Sequence, residues 1–336
     1  MKKNVALLSG GYSKEYEVSV SSGKVICENL DPELFNVYQI HINADRWLYL
    51  EGSTPVEIDK NDFSLTLGSL KIRFDCAFIG IHGTPGEDGK LQGYLDMMRI
   101  PYSTCGRTTS ALTFNKYFTN ELIGRWGFNV ANTYYLHRRD KINTHEIIKL
   151  TGLPCFVKPN CNGSSVGISK VHELDELLPA LDKAFSEDDE VLIQEFIPGI
   201  EVTCGVFEKD QQPIALPLTE IITANEFFDY QAKYTKGYSD EITPARISDE
   251  QAKQCTEISL ELYRKLNCRG IVRFDYILTP KNEIREQQFY ILEVNTIPGL
   301  SEASIVPKQA ASAGISLKEL FTHVVNETLN YYKNLV

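Results

Sequence analysis

The chain reads RFDYIL at residues 273–278 and FYILEVNTIPG at residues 289–299. Each is a short apolar run, and the polar segment between them is rich in turn formers, so the pattern predicts two strands joined by a loop. Asp275 interrupts the first strand, and alternation places Glu293 and Asn295 on one face of the second. These three oxygen ligands suit a hard cation such as Mg²⁺, whereas the alternative is a solvated strand face that carries ordinary charges.

Two further groups flank this predicted ligand set. Arg273 stands two residues before Asp275, hence on the same strand face, where a guanidinium suits a metal-bound phosphate or a developing oxyanion. The alternative for Arg273 is a salt bridge with Asp275 or Glu293. Gly299 follows Pro298 and can present its backbone N–H to the same centre.

Composition excludes several classes of protein. The 336 residues are 43% hydrophobic and 24% charged, which is ordinary for a globular enzyme of two or three domains. The net charge of −11 argues against a nucleic-acid partner, and no apolar run approaches the length of a membrane span. The eight cysteines show no C-x-x-C pair, so we expect reduced thiols and a cytoplasmic protein with no membrane partner.

The amino-terminal part has an α/β pattern. An apolar strand at residues 5–8 leads through a glycine turn into a helix over about 19–30, and a second buried strand covers 75–81, which indicates a parallel sheet. His82 follows that strand directly and begins a loop, residues 82–93, that contains four glycines. Substrate contact by His82 is one interpretation, and a tight turn whose acidic residues cap the next helix is the other.

A second loop has the composition of a phosphate site. The strand at 154–159 contains Lys158 and is followed at 160–167 by glycines and serines, whose N–H groups can surround phosphate oxygens. Neither a Walker A pattern nor a proper G-x-G-x-x-G is present. The alternative for Lys158 is a surface lysine on an edge strand.

Two other segments carry cations. Helical periodicity over 110–125 includes Lys116, and the long segment 221–238 includes Lys233 and Tyr234. A lid over a phosphate would use both residues of that segment, but a solvated loop is the alternative.

In this order, these motifs resemble the ATP-grasp superfamily and, within it, the D-alanine–D-alanine ligase family of bacterial cell-wall synthesis. The resemblance rests on six motifs spread over nearly the whole chain: GGxxxExEVS at 10–19, HGxxGEDGxxQG at 82–93, VKP at 157–159 with GSSVG at 163–167, Lys233-Tyr234, Arg273-x-Asp275, and ExNTxPG at 293–299. It implies an α/β class of ATP-grasp fold with an amino-terminal Rossmann-like domain. The implied domains are 1–104, 105–193 as the central ATP-grasp lobe, and 194–336 as the carboxyl-terminal lobe with the metal and catalytic residues.

The resemblance also implies roles for individual residues. Contacts to ATP fall to Lys116, Lys158, Gln194, Glu195, Phe196, Ile197, Glu201 and Lys233. Two Mg²⁺ ions, for which Mn²⁺ can substitute, fall to Asp275, Glu293 and Asn295. Catalytic roles fall to Glu15, Ser164, Tyr234, Arg273 and Gly299, and substrate contacts to Glu15, His82, Ser304 and Ile305.

The implied reaction joins two D-alanine molecules through an acylphosphate, releasing ADP and phosphate, for peptidoglycan precursor synthesis, and the implied assembly is a homodimer. Gln194 departs from many relatives, which have a carboxylate there, but its amide oxygen can still accept from adenine. Tyr234 in the Lys233-Tyr234 pair favours the dipeptide over D-alanyl-D-lactate. The alternatives are a D-alanine–D-lactate or other amino-acid ligase, and a non-catalytic ATP-binding regulator.

Overall fold

A computed structural model of the chain describes residues 1–51, 54–163, 165–223, 239–281 and 287–333. The strands of this described part are Lys3–Gly10 (β1), Phe35–Ile42 (β2), Trp47–Tyr49 (β3), Val56–Glu57 (β4), Ser64–Leu67 (β5), Leu70–Arg73 (β6), Cys76–Ile79 (β7), Asn129–Val130 (β8), Thr133–His137 (β9), Cys155–Pro159 (β10), Ser169–Val171 (β11), Glu190–Glu195 (β12), Ile200–Lys209 (β13), Gln212–Ala215 (β14), Thr219–Thr223 (β15), Ser239–Ile242 (β16), Val272–Leu278 (β17) and Phe289–Asn295 (β18).

The helices of the same ranges are Tyr16–Asn29 (α1), Lys90–Met98 (α2), Arg107–Phe114 (α3), Lys116–Arg125 (α4), Thr144–Thr151 (α5), Leu177–Phe185 (α6), Asp249–Lys265 (α7), Ile305–Ser312 (α8) and Leu317–Lys333 (α9), with a 3-10 turn at Leu174–Glu176. None of these helices is both long enough and apolar enough to cross a membrane. All eight cysteines are free thiols, as predicted.

The amino-terminal sheet has the strand order β4-β3-β2-β1-β7. β1 runs parallel to both β2 and β7, which confirms the predicted parallel sheet, and β3 and β4 form an antiparallel edge. The run from Val5 to Leu8 is fully buried because both faces of a parallel sheet are covered. One face of this sheet packs on α1 and on α9, where the Phe78 ring contacts the Phe321 ring. The helix α9 is therefore part of the amino-terminal hydrophobic core.

Two more sheets form the rest of the chain. β11-β10-β12-β9 is antiparallel, and the larger sheet has the order β16-β15-β13-β17-β18-β8 with β14 paired to β13. The predicted strand pair is confirmed, since β17 and β18 are antiparallel neighbours. β12 continues across the predicted domain boundary at 193/194. β8 belongs to the predicted central lobe by sequence but pairs with β18 of the larger sheet. The three-domain division stays a prediction.

Two predicted segments differ from the structure, and the first is the long loop over 221–238, whose residues 221–223 instead end β15. The single helix expected over 110–125 is two helices, α3 and α4, which meet at Asn115. Asn115 is extended, and its side chain accepts a hydrogen bond from the Phe118 N–H, so it caps α4 at its first turn. This break places Lys116 at the start of α4.

Candidate active site

The face shared by β17 and β18 holds the predicted metal ligands. Asp275 lies directly opposite Glu293 in the antiparallel register, and Arg273 lies opposite Asn295, so alternation directs all four side chains to one face. A register shift between Asp275 and Tyr276 interrupts the regular pairing next to these residues, and the strands continue to pair beyond it. β-Bulges of this kind re-aim side chains next to active sites.

Three side chains donate hydrogen bonds to Asp275 on this face. Arg273 donates to it through Nε and Nη2, each at 2.8 Å, Thr203 Oγ1 donates at 2.6 Å, and Asn295 Nδ2 donates at 2.8 Å. Burial lowers the pKa of Arg273, but the adjacent Asp275 carboxylate outweighs it, and the net effect is a raised pKa. The salt bridge named as the alternative for Arg273 therefore exists, and it fixes the guanidinium in place.

Two lysines approach Glu293 from other elements. Lys116 Nζ lies 3.3 Å from Glu293 Oε1 and donates at 2.6 Å to the carbonyl of Asn162 in the glycine loop. Lys158 on β10 lines a small cavity together with Lys116 and Glu293. Burial, with Lys116 nearby, lowers the pKa of Lys158 to about 8. Two lysines beside one cavity suit an anionic ligand.

A cavity of about 490 Å³ is lined by the predicted ATP contacts that fall among the described residues. It is lined by Lys116, Lys158, Gln194, Glu195, Phe196, Ile197, Glu201, Arg273, Asp275 and Glu293, among others. Its volume lies within the range of small-molecule sites. Gln194 Nε2 donates to Thr133 Oγ1 at 3.0 Å, and both carboxylate oxygens of Glu195 accept hydrogen bonds from Asn132.

A second cavity of about 430 Å³ contains the predicted amino-acid contacts. It is lined by Glu15, His82, Lys116, Arg273, Glu293, Asn295, Gly299, Ser304 and Ile305, among others. A Cβ at Gly299 would lie 2.7 Å from Ser304 Oγ, so a side chain there would require Ser304 to move. A Cβ at Gly163 would lie 2.5 Å from Glu15 Oε2, so a side chain there would require Glu15 to move.

His82 is buried beside this second cavity, and both of its ring nitrogens are bonded to protein. Nδ1 lies 2.9 Å from the Ile297 carbonyl, and Nε2 lies 3.1 Å from Ser22 Oγ. Burial lowers the pKa of His82, which favours the neutral ring. Both ring nitrogens are therefore already engaged by protein groups.

Of the residues that the structure describes, Lys116, Arg273 and Glu293 line both cavities. The face of β17 and β18 therefore borders both cavities through Arg273 and Glu293. Chemistry that transfers a group from one ligand to the other has its natural position at this junction.

Three predicted catalytic or ATP-binding residues, Ser164, Lys233 and Tyr234, lie outside the described residues. No group of three or more His, Cys, Asp or Glu side chains that could hold a metal occurs within the described ranges. The predicted metal set contains two carboxylates and one amide, so it differs from such a group by its amide oxygen, which is an accepted ligand for Mg²⁺.

Sequence reasoning missed Glu87 as a site residue and treated it as a helix cap. Its Oε2 accepts the Gly83 N–H at 2.7 Å, it lines the second cavity, and burial, with Glu15 nearby, raises its pKa to about 8. Asp88 instead accepts the Lys90 N–H at 3.2 Å at the start of α2. A carboxylate in a glycine loop directly after a buried strand was the available signal.

Comparison with known proteins agrees with this geometry. Residues 4–105 match the family model for the D-ala D-ala ligase N-terminus, and residues 122–326 match that for the D-ala D-ala ligase C-terminus. The chain is 46% identical to a D-alanine–D-alanine ligase of Flavobacterium johnsoniae over 97% of this chain and 99% of that one. It is 45% identical to one of Porphyromonas gingivalis over 98% and 99% of the two chains.

Solved structures show the same fold. A D-Ala:D-Ser ligase from Enterococcus faecalis superposes with a TM-score of 0.87 at 31% identity, covering 98% of this chain and 100% of that one. A D-alanine–D-alanine ligase from Bacillus anthracis, solved in complex with ATP, superposes with a TM-score of 0.79 at 29% identity, covering both chains completely. The fold is therefore ATP-grasp, and the chain belongs to the D-alanine–D-alanine ligase family.

Proposed function

We propose that the chain joins two D-alanine molecules at the junction of the two cavities, with ATP in the larger cavity and the amino acids in the other. ATP-dependent D-alanine–D-alanine ligation is the activity of the family. The reaction is placed at this junction because Lys116, Arg273 and Glu293 line both cavities. A regulator that only binds ATP is not favoured, because it has no need of this shared face.

The reaction needs carboxylate activation, because a free carboxylate is a poor electrophile. A carboxylate oxygen of the first D-alanine bonds to the γ-phosphorus while the bond to ADP breaks, which gives an acylphosphate. The amine of the second D-alanine then bonds to the acyl carbon, loses a proton, and expels phosphate. In this scheme Lys116 and Lys158 hold the phosphates, and Glu15 binds the ammonium of the first substrate.

Arg273 and the Gly299 N–H would stabilise the oxyanion of the second step. Arg273 is pre-positioned by its paired hydrogen bonds to Asp275, and preorganised donors of this kind are typically worth about 3 kcal/mol. Ser304 and Ile305 lie at the start of α8 and line the amino-acid cavity, where the carboxylate of the second substrate would lie.

We propose that these residues hold two Mg²⁺ ions, the number that the family resemblance implies, and that Mn²⁺ can replace them. Asp275 and Glu293 offer carboxylate oxygens and Asn295 an amide oxygen on one face, a donor set that hard cations prefer. When bound, the ions would neutralise phosphate oxygens during transfer. Asn295 now donates its Nδ2 to Asp275, so its amide oxygen is the atom left for a metal.

We also propose a cytoplasmic homodimer formed through the amino-terminal domain. This rests on the family resemblance, and exposed Leu70 and Met97 in that domain offer apolar surface for such a contact. Light scattering on the purified chain would give the mass of a dimer, whereas a monomer mass at micromolar concentration would reject the proposal.

The activity is tested by following phosphate release with Mg-ATP and D-alanine, with D-alanyl-D-alanine identified by mass spectrometry. We expect phosphate release with D-alanine as the only amino acid. Adding D-lactate or D-serine should give no D-alanyl-D-lactate or D-alanyl-D-serine. With D-alanine labelled by ¹⁸O in its carboxylate, one labelled oxygen should appear in phosphate, because that oxygen bonds to phosphorus. Absence of phosphate release with D-alanine would reject the function, and unlabelled phosphate would reject the acylphosphate route.

A further inference from the structure

The turn from Ile297 to Leu300, which contains Gly299, is held by side chains from the opposite end of the chain. His82 Nδ1 bonds the Ile297 carbonyl at 2.9 Å, and Ser22 Oγ accepts the Leu300 N–H at 3.2 Å. Ser22 and His82 also bond each other at 3.1 Å. The three contacts form a continuous path from α1 through the imidazole to the turn.

The direction of each hydrogen bond in this path follows from the groups involved. The Ile297 carbonyl can only accept, so Nδ1 of His82 carries a proton, and the Leu300 N–H can only donate, so Ser22 Oγ accepts from it. The hydroxyl proton of Ser22 is then available for Nε2, which is the acceptor in a neutral ring. Burial favours that neutral ring, although Glu15 acts in the opposite direction.

All members of the path are shielded from water. Ser22 is 0% exposed, His82 4%, and Ile297 and Leu300 3% each. A buried donor or acceptor that loses its partner is not compensated by solvent, so each bond restricts the turn more than an exposed one would. Gly299 lies between the two anchored residues.

We propose that Ser22 is a positioning residue, which keeps His82 in the Nδ1–H form and, with it, holds the 297–300 turn so that the Gly299 N–H points to the reaction centre. This inference rests on the proposed function, because the position of Gly299 matters to catalysis only if an oxyanion forms beside it. Ser22 touches no reacting atom in this scheme, so its effect acts through His82 and the turn.

Ser19 offers a matched control on the same helix. It is also fully buried, and its hydroxyl also accepts a backbone N–H, from Gly10 at 2.9 Å, and donates to a second group, the Gly80 carbonyl, at 2.7 Å. Ser19→Ala therefore removes the same kind of bonds from α1 without touching the 297–300 turn.

The experiment compares the full-length chain with Ser22→Ala, Ser22→Cys and Ser19→Ala. We expect Ser22→Ala to lower kcat about tenfold with KM for ATP within about twofold, because placement and not binding is lost. Ser22→Cys, which keeps the volume and a weak donor, should lie between Ser22→Ala and the unchanged chain. Ser19→Ala should lower thermal stability as Ser22→Ala does, but keep kcat within about twofold.

Nitrogen-15 NMR of the His82 ring gives a readout that does not depend on turnover. The unchanged chain should show a protonated Nδ1 and an unprotonated, hydrogen-bonded Nε2, and Ser22→Ala should shift the Nε2 signal to that of an unbonded nitrogen. A protonated Nε2 in the unchanged chain, or equal kcat in Ser22→Ala and Ser19→Ala, would overturn the proposal. Failure of D-alanyl-D-alanine synthesis by the unchanged chain would instead reject the proposed function, while the ring signals would still test the hydrogen bonds.

Discussion

The ligand face of β17 and β18 and the turn that follows it are adjacent in sequence but are held by different means. On the face, Asp275 and Glu293 are opposed by strand register, and their neighbours Arg273 and Asn295 bond Asp275 within the same strand pair. In the 297–300 turn, the holding groups are Ser22 and His82, which are 278 and 215 residues away from their partners.

Substitutions on the face should therefore change the reacting groups, whereas substitutions at the turn should change only the position of the backbone. A change on the face alters charge and ligand type while the register of the sheet persists, since backbone hydrogen bonds set that register. A change at the turn alters position while the reacting groups persist. The two kinds of variant should therefore differ in size of effect and in the observable that reports them.

The largest effect is expected on the face itself. Glu293→Gln keeps volume but removes a carboxylate from the proposed metal set. We expect kcat to fall by more than about 100-fold, because groups that only hydrogen-bond to a metal ligand already cost about 10- to 100-fold when they are lost. Tyr290→Phe on the same strand is the control and should keep its activity. Steady-state phosphate release measures both, and unchanged turnover in Glu293→Gln would reject the metal assignment.

An intermediate effect is expected at Lys158, which reaches the face from another sheet. Burial lowers its pKa to about 8 from the ordinary 10.5, whereas bound phosphates favour the charged form. Above about pH 8, ATP binding should therefore take up protons and weaken with rising pH, by up to about tenfold per pH unit. At about pH 7 the uptake should fall to about 0.1 proton.

Calorimetry in buffers of different ionisation enthalpy measures this uptake. Lys158→Arg is the control, because a guanidinium stays charged throughout and should bind ATP without taking up a proton. Equal uptake in Lys158→Arg and in the unchanged chain would assign the proton to another group.

The same division explains what the sequence could predict. The strand pair and the side-chain face were accessible because period-2 alternation is a local property of residues 273–278 and 289–295. The break at Asn115 was not, since apolar spacing continues through it and only the cap marks it. Roles assigned through the family resemblance stay predictions for individual residues, and Ser164, Lys233 and Tyr234 lie outside the described part of the chain.

Long-range contacts were inaccessible for a physical reason. No local pattern encodes that Ser22 on α1 meets Leu300, because the contact depends on how the amino-terminal sheet packs against α9 and the 297–300 turn. Glu87 is a similar case, since its motif is compatible with a helix cap and only burial reveals a carboxyl with a raised pKa.

The smallest effect is expected at an exposed long-range contact, the ion pair of Lys14 with Glu187. Lys14 Nζ lies 2.8 and 2.7 Å from the two Glu187 carboxylate oxygens. The next residue, Asp188, accepts the Cys161 N–H of the 160–167 loop. The ion pair therefore connects the segment before Glu15 to the 160–167 loop. The Lys14 side chain is 61% exposed, so Lys14→Ala should raise KM for D-alanine by less than about fivefold, or about 1 kcal/mol, and high salt should remove the difference. Lys24→Ala is the control, because Lys24 is also exposed and forms an ion pair, but with Glu28 within α1. A change above tenfold would mean that burial does not decide which long-range contacts position the site.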